Sequence, residues 1–487
     1  MSDQKIHFEQ YLYLPALTHD AAIIAWGGFF FKYKGEPGHE KWDDEALEDN
    51  KLKGRKQSIG VKSGSYGEAI VTLTELGPGG ETRVCPAVSN ANHVVINGLK
   101  PDTEYRYSVQ IKKDGEWREW AAGPRRDWNF SKDDDGGLWL LGAGKDRQYE
   151  NVFRTFPDPA QPVGPLTFAV IGDFGQGIED LADKEDRKCQ REVAEALEHA
   201  VKNNDVRFIL TTGDNIYADR KLLVFTSDEG EEDDDWFFTY FQPYRYIINR
   251  VPVFPVIGNH DSAETEKEAD RQQIYDNFYL AEPYRQLRGG GEFQASPDGL
   301  FYHFGYGSDV EFFCLDTSRA DDGKRCFEKT QNRAMLADWL QTASVPWRIA
   351  FSHHPAYCAG PQHPSEKELQ TWMREDGGPG GIRVFFSGHE HNFQYTPAEG
   401  AHYFITGGGG KFKSKKIENK RLKDIGAQAW GGNDEGHFLL VKIEGDEMRV
   451  WPYGHLALGR PNHIKLNFPA GSSLAPGNAP PFVINRV

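Results

Sequence analysis

Cysteine is scarce: Cys85, Cys189, Cys314, Cys326 and Cys358 are the only five in 487 residues, odd in number and widely spaced. That excludes a readable disulfide framework or a cysteine zinc motif. Long apolar runs are missing too, since the stretch AAIIAWGGFFF is too short to span a bilayer. The opening MSDQKIHFEQ has no basic start leading into an apolar core. The expectation is therefore a cytoplasmic protein if Met1 is native, and a secreted or periplasmic one if a leader preceded it. Basic charge is in deficit, with 56 Lys and Arg against 73 Asp and Glu, which argues against a general nucleic-acid coat. A small phosphorylated substrate stays open, because bound cations can reverse the field inside one cleft. The sequence leaves oligomeric state undetermined.

Apolar surface is plentiful, with 38% hydrophobic residues including 31 Phe, 20 Tyr and 12 Trp, which excludes wholesale disorder. Single cores stop growing at roughly 250 to 300 residues, so two domains are expected. From Lys62 to about Asn129, short alternating segments such as EAIVTLTEL and HVVINGL are broken by Gly, Pro and Asp, the pattern of antiparallel strands. Leu99 to Val109, with Tyr105 and Tyr107 after the KPDT corner, is similar to a fibronectin type III domain, where such an aromatic satisfies backbone with its hydroxyl. Four prolines in PDPAQPVGP mark an extended connector. The division expected is 1–160, an all-β immunoglobulin-like sandwich with linker; 161–465, the catalytic domain; and 466–487, a Pro/Gly-rich and loosely packed tail.

After the connector the pattern changes to nearly continuous apolar runs, LTFAVI, RFILTT, VPVFPVI, EFFCL, WRIAF and RVFF, which read as strands buried on both faces. Helical patterns lie between them, with Val193, Leu197 and Val201 at one site and Met335, Leu336, Trp339 and Leu340 at another, so the domain is α/β. The acidic run Asp228 to Asp235 reads as a solvated loop. Five of these strands run into polar residues: Asp173, Asp214, Asn259 with His260, His353, and His389 with His391. In open α/β sheets ligands bind at the carboxyl ends of strands, so distant positions converge there. Hard oxygen donors mixed with imidazoles suit iron, manganese or zinc, and do not suit a calcium cage or thiolate site.

The ordered set GDFG, GDNIY, GNHD, SHHP and GHEH resembles the motifs of the calcineurin-like metallophosphoesterases, and within them the purple acid phosphatases, over roughly residues 165 to 455. The resemblance implies a sandwich of sheets flanked by helices behind the β domain. It implies two metal ions, with Asp173, Asp214, Tyr217 and His391 holding iron(III). Asp214, Asn259, His353 and His389 would hold iron(II), zinc or manganese. Most relatives in the wider family place a His where this chain has Gly175, and Tyr217 would take its place as a phenolate. His260 would contact the phosphate with Asp261 orienting its ring, and His363 would serve the leaving group.

The activity implied is hydrolysis of phosphate monoesters on the acidic side of neutral. A phosphodiesterase, a triester or phosphonate hydrolase, and a non-catalytic metal-stabilised binding protein are the alternatives. His354 is expected behind the ligands and Asp316 to organise its loop, while YFITGGGGKF reads as a tight turn after a strand. Cleft-lining loops are expected at Asp219 to Tyr240 and Cys358 to Glu366.

Overall fold

The computed structural model describes the chain apart from residues 1–4, 35–40, 47–66, 89–90, 123, 126–129, 133–137, 141–146, 176–185, 218–219, 223–224, 228–235, 263–267, 281–283, 285, 288–292, 320–321, 378–380, 414–415, 457–459, 475–479 and 487. The acidic run Asp228 to Asp235 thus lies outside the described residues.

Two antiparallel sheets form the N-terminal half. In one, Ala69–Glu75 lies between Thr82–Pro86 and Glu104–Lys113, and Val152–Arg154 closes the far edge. Alternation along Glu104–Lys113 sends Tyr105, Tyr107, Val109 and Ile111 inward, as the period of two requires. Tyr105 packs its ring and accepts the Lys100 N–H on its hydroxyl at 2.9 Å, the corner expected from the sequence.

The facing sheet adds strands ahead of Lys62, where the alternating pattern in the sequence begins. Its longest strands come earlier: Lys5–Leu17 and Ala21–Lys34 pair antiparallel, and Ala21–Lys34 also pairs with His93–Asn97. AAIIAWGGFFF belongs to this hairpin. From Tyr11 to Leu17 and from Ala21 to Gly28 every residue is buried, so no alternation was there to be read. The burial is two-sided. Trp120 of the sandwich donates its indole N–H to the carbonyls of Tyr11 and Gly27. From the other side Phe241 stacks on Tyr11 at 4.0 Å, and Tyr284 donates to the Pro15 carbonyl.

The second half holds two mixed sheets face to face. One runs Val253–Phe254, Val206–Thr211, Leu166–Ile171, His437–Glu444, Glu447–Leu456, Arg460–His463, with Phe482–Asn485 also on Glu447–Leu456. The other has nine strands and centres on Val310–Leu315, Trp347–Ser352, Val384–Ser387 and Ala401–Thr406, all mutually parallel in pairs. Phe168 bridges the sheets, 5.1 Å from Phe312 and edge-on. Helix Gln190–Asn203 buries Val193, Leu197 and Val201, and Thr330–Thr342 buries Leu336, Trp339 and Leu340, as their spacing predicts.

Two short strands anchor the C-terminal tail. Leu466–Asn467 and Phe482–Asn485 add a strand to each sheet, and Phe482 is buried against Tyr395 and Phe393. Among the described residues no helix is long and apolar enough to cross a membrane.

Candidate metal centre

Parallel strands end on the same side of a sheet, and the loops after five of them meet. Leu166–Ile171 leads to Asp173, Val206–Thr211 to Asp214, Val253–Phe254 to Asn259, Trp347–Ser352 to His353, and Val384–Ser387 to His389 and His391. Asp173, Asp214 and His389 are non-glycine residues with φ of 54°, 50° and 70°. Left-handed backbone of this kind costs about 1 to 3 kcal/mol per residue and persists only where the surroundings impose it.

The loops are laced together by backbone. Gly175 N–H bonds to the Asp214 carbonyl and the Gly175 carbonyl accepts from Tyr217 N–H at 2.7 Å. A Cβ at Gly175 would collide with the Asn215 carbonyl and the Ile216 backbone. The position therefore excludes any side chain, a histidine included, and the same contact carries Tyr217 into the centre.

The donors fall into two groups. In the first, the Tyr217 hydroxyl lies 3.2 Å from Asp173 Oδ1 and 3.1 Å from His391 Nε2, and His391 Nε2 lies 3.3 Å from Asp173 Oδ1. In the second, Asn259 Oδ1 is 2.9 Å from His353 Nε2 and 3.0 Å from His389 Nδ1, which are 3.1 Å from each other. Asp214 lies between them, with Oδ1 3.4 Å from His353 Nε2 and a hydrogen bond shared with Tyr217. All seven expected ligands are thus brought together.

The electrostatics of this cluster fit a cation. Burial, then Asp214, pushes the Asp173 carboxyl well up; burial, then Asp173 and Asp214, does the same to the Tyr217 phenol. His389 is driven well down by burial, then by the neighbouring histidines. Burial opposes charge on Asp214 as well, yet the His353 and His260 rings outweigh it and hold that carboxyl at about 2. Buried lone pairs this close are mutually repulsive until a positive ion lies among them.

His260 and His363 both line the cavity, of about 240 Å³, over these donors, together with Asp214, Asn259, His389, His391, Gln362 and Lys411. The His260 ring lies 4.4 Å from that of Tyr217, and its backbone N–H donates to Asp214 Oδ1 at 3.0 Å. Asp261 does not take the orienting role expected of it. Its oxygens accept from the N–H groups of Gly258, Asn215 and Ile216 and from the Asn215 amide, so it shapes the loop under Asp214 instead.

His363 lies 3.7 Å from His389, ring to ring, and is fixed by its backbone N–H on Glu390 Oε2. His354 sits with His353 and His389, but its nitrogens face Thr317 Oγ1 and the Arg325 guanidinium. Asp316 accepts from Arg271 and Ser318, fully buried, and organises its loop as expected. Sequence reasoning missed Lys411, Gln362 and Glu390. Lys411 follows a glycine run read only as a turn, Gln362 sits unremarked in a loop expected to line the cleft, and Glu390 lies inside GHEH between two residues that drew the attention.

Imidazole, carboxylate, phenol and amide donors are thus gathered in two groups at strand ends of a two-sheet α/β sandwich, an arrangement suited to metal-dependent phosphoester chemistry. Residues 166–393 match the calcineurin-like phosphoesterase family. Tartrate-resistant acid phosphatase type 5 of Sus scrofa is 25% identical over 321 residues, 61% of this chain and 84% of its own length. Purple acid phosphatase 4 of Arabidopsis thaliana is 23% identical over 309 residues, 62% of this chain and 84% of its own.

Among solved structures, the purple acid phosphatase PPD1 of yellow lupin (Lupinus luteus) seeds aligns at TM-score 0.56 and 12% identity, covering 96% of this chain and 75% of its own. PhoD aligns at 0.55 and 13%, covering 94% and 88%. These two share the fold. Over about three fifths of its length the chain is thus similar to acid phosphatases of this kind, and these relatives mark it as a hydrolase of phosphoric esters.

Proposed function

We propose that the chain hydrolyses phosphate monoesters at a dinuclear metal centre. The observation that carries this is the division of the converging donors into two groups with Asp214 between them. Asp173, Tyr217 and His391 would hold iron(III), because a phenolate is a hard anion that favours a trivalent ion. Asn259, His353 and His389 would hold iron(II), zinc or manganese, with Asp214 shared between the two groups. Such a pair supplies Lewis acidity for activating water and neutralising phosphoryl charge.

The rest of the chemistry belongs to the side chains. His260, held against Tyr217 above the first group, offers its imidazole to the phosphoryl oxygens as charge builds on them. His363, held over His389, is within the same cavity and is assigned the leaving-group oxygen, to which it gives a proton. The loop Cys358 to Glu366, expected to line the cleft, contributes both His363 and Gln362.

The test combines metal analysis of carefully loaded protein with rates on a panel of mono-, di- and triesters. About two ions per chain and a preference for monoesters are expected. One ion or none, or a preference for diesters or triesters, would overturn the reading.

A further inference from the structure

Lys411 opens the strand Lys411–Lys413 at the end of the run Gly407 to Gly410. That run is tied to the metal-ligand loop: Gly409 N–H bonds to the Gly172 carbonyl and Gly410 N–H to the Asp173 carbonyl, at 2.9 and 3.0 Å. A Cβ at Gly410 would collide with the Phe174 backbone, so the two segments lie in close register. The result is a fixed place for the next side chain. Lys411 Nζ lies 4.8 Å from the centre of the Tyr217 ring and lines the cavity that His260, Gln362 and His363 also line. Among the described residues that line the cavity, Asp214 at the donor cluster is the one acidic side chain. In a chain of net charge −17, Lys411 thus places a cation in the cavity wall.

Resting on the monoesterase reading above, we propose that Lys411 is a substrate-recognition residue that binds an unesterified phosphoryl oxygen and so sets the preference for monoesters over diesters. A monoester carries about −1.5 to −2 charges at pH 7. A diester carries a single charge and one fewer unesterified oxygen. An ammonium is a compact point charge with three rotatable donors, suited to reaching such an oxygen beside a charged centre. A cation serving only to pack on Tyr217 would treat both substrates alike.

The experiment compares the metal-loaded full chain with its Lys411→Met and Lys411→Arg variants at pH 7, on p-nitrophenyl phosphate and bis(p-nitrophenyl) phosphate. Lys411→Met is expected to raise KM for the monoester about tenfold or more, with kcat less affected and the diester KM within about twofold of wild type. Lys411→Arg restores most of the loss. In parallel, the rise in Tm that inorganic phosphate gives the loaded protein shrinks in Lys411→Met and persists in Lys411→Arg. Equal changes in KM for the two esters, or an undiminished phosphate shift in Lys411→Met, would overturn the assignment while leaving monoesterase activity standing. A wild type that does not turn over the monoester would overturn both.

Discussion

His353 Nδ1 lies 2.8 Å from the backbone carbonyl of Thr212. A carbonyl can only accept, so Nδ1 donates and Nε2 keeps its lone pair, aimed at Asn259 Oδ1 and His389 Nδ1. Tautomer and ring orientation are thus fixed before any ion binds. His353→Ala removes one donor from the second group and none from the first. Metal content is expected to drop from about two ions per chain to about one, with at least a hundredfold loss of activity. Elemental analysis checks it, and two retained ions would remove His353 from the ligand set.

Colour tests Tyr217. Its hydroxyl lies between Asp173 and His391, and burial with two carboxylates nearby keeps the phenol protonated unless a cation claims it. Oxidised, iron-loaded protein should show a broad visible absorption from phenolate-to-iron charge transfer. Tyr217→Phe keeps the ring and its packing on His260. The variant should be folded and bleached at matched iron content, and removing iron from the wild type should bleach it too. Unchanged colour in Tyr217→Phe would show that the phenolate is not a ligand.

His260→Ala separates catalysis from metal retention. The backbone N–H that holds Asp214 survives the substitution, since only the ring is lost. A fall in kcat of about a hundredfold or more with unchanged metal content is the expected pair of results. Loss of an ion would mean that His260 is a ligand.

The first half is not a detachable module. Tyr11 and Tyr13 pack on Phe241, Tyr107 donates to the Asn249 carbonyl, and Phe156 packs on Phe208 and Tyr306. A chain beginning near residue 160 would expose this apolar face and is expected to aggregate. Within the intact chain, Tyr11→Ala should cost about 3 to 5 kcal/mol, read from denaturant unfolding. A soluble, active truncation would show that the contact is dispensable.

His303 gives a pH dependence away from the centre. It is buried between Phe313 and Trp339, its ring nitrogens without a hydrogen-bond partner among the described residues. Burial lowers its pKa to about 4. The unfolded chain therefore takes up this proton first, and the stability present above about pH 6.5 is lost as pH falls toward 4. His303→Phe should flatten that part of the Tm-against-pH curve. An unchanged slope would assign the acid sensitivity elsewhere, with the half-buried His93 and the buried His437 next to be tested.

The candidate donor set was legible because its residue types, order and positions after apolar runs are local properties of the chain. Asp173, Asp214, Asn259, His353, His389 and His391 each follow a strand, and parallel strands must deliver them to one side. Alternation likewise revealed Glu104–Lys113, since one face of that strand is buried and the other wet. The hairpin Lys5–Leu17 with Ala21–Lys34 left no such mark: from Tyr11 to Leu17 and from Ala21 to Gly28 both faces are covered, and only the packing of the two halves decides that. Phe482 and Ile484 do alternate with exposed Val483 and Asn485, but over only four residues of a Pro/Gly-rich tail, and their burial depends on pairing with Glu447–Leu456. The substitution at Gly175 was visible in the sequence, but its steric necessity depends on the Asn215 and Ile216 backbone that tertiary structure brings against it. The bonds that aim Asp261 at backbone and Lys411 at the cavity are also long-range, and contacts between residues far apart in sequence leave no periodicity to read.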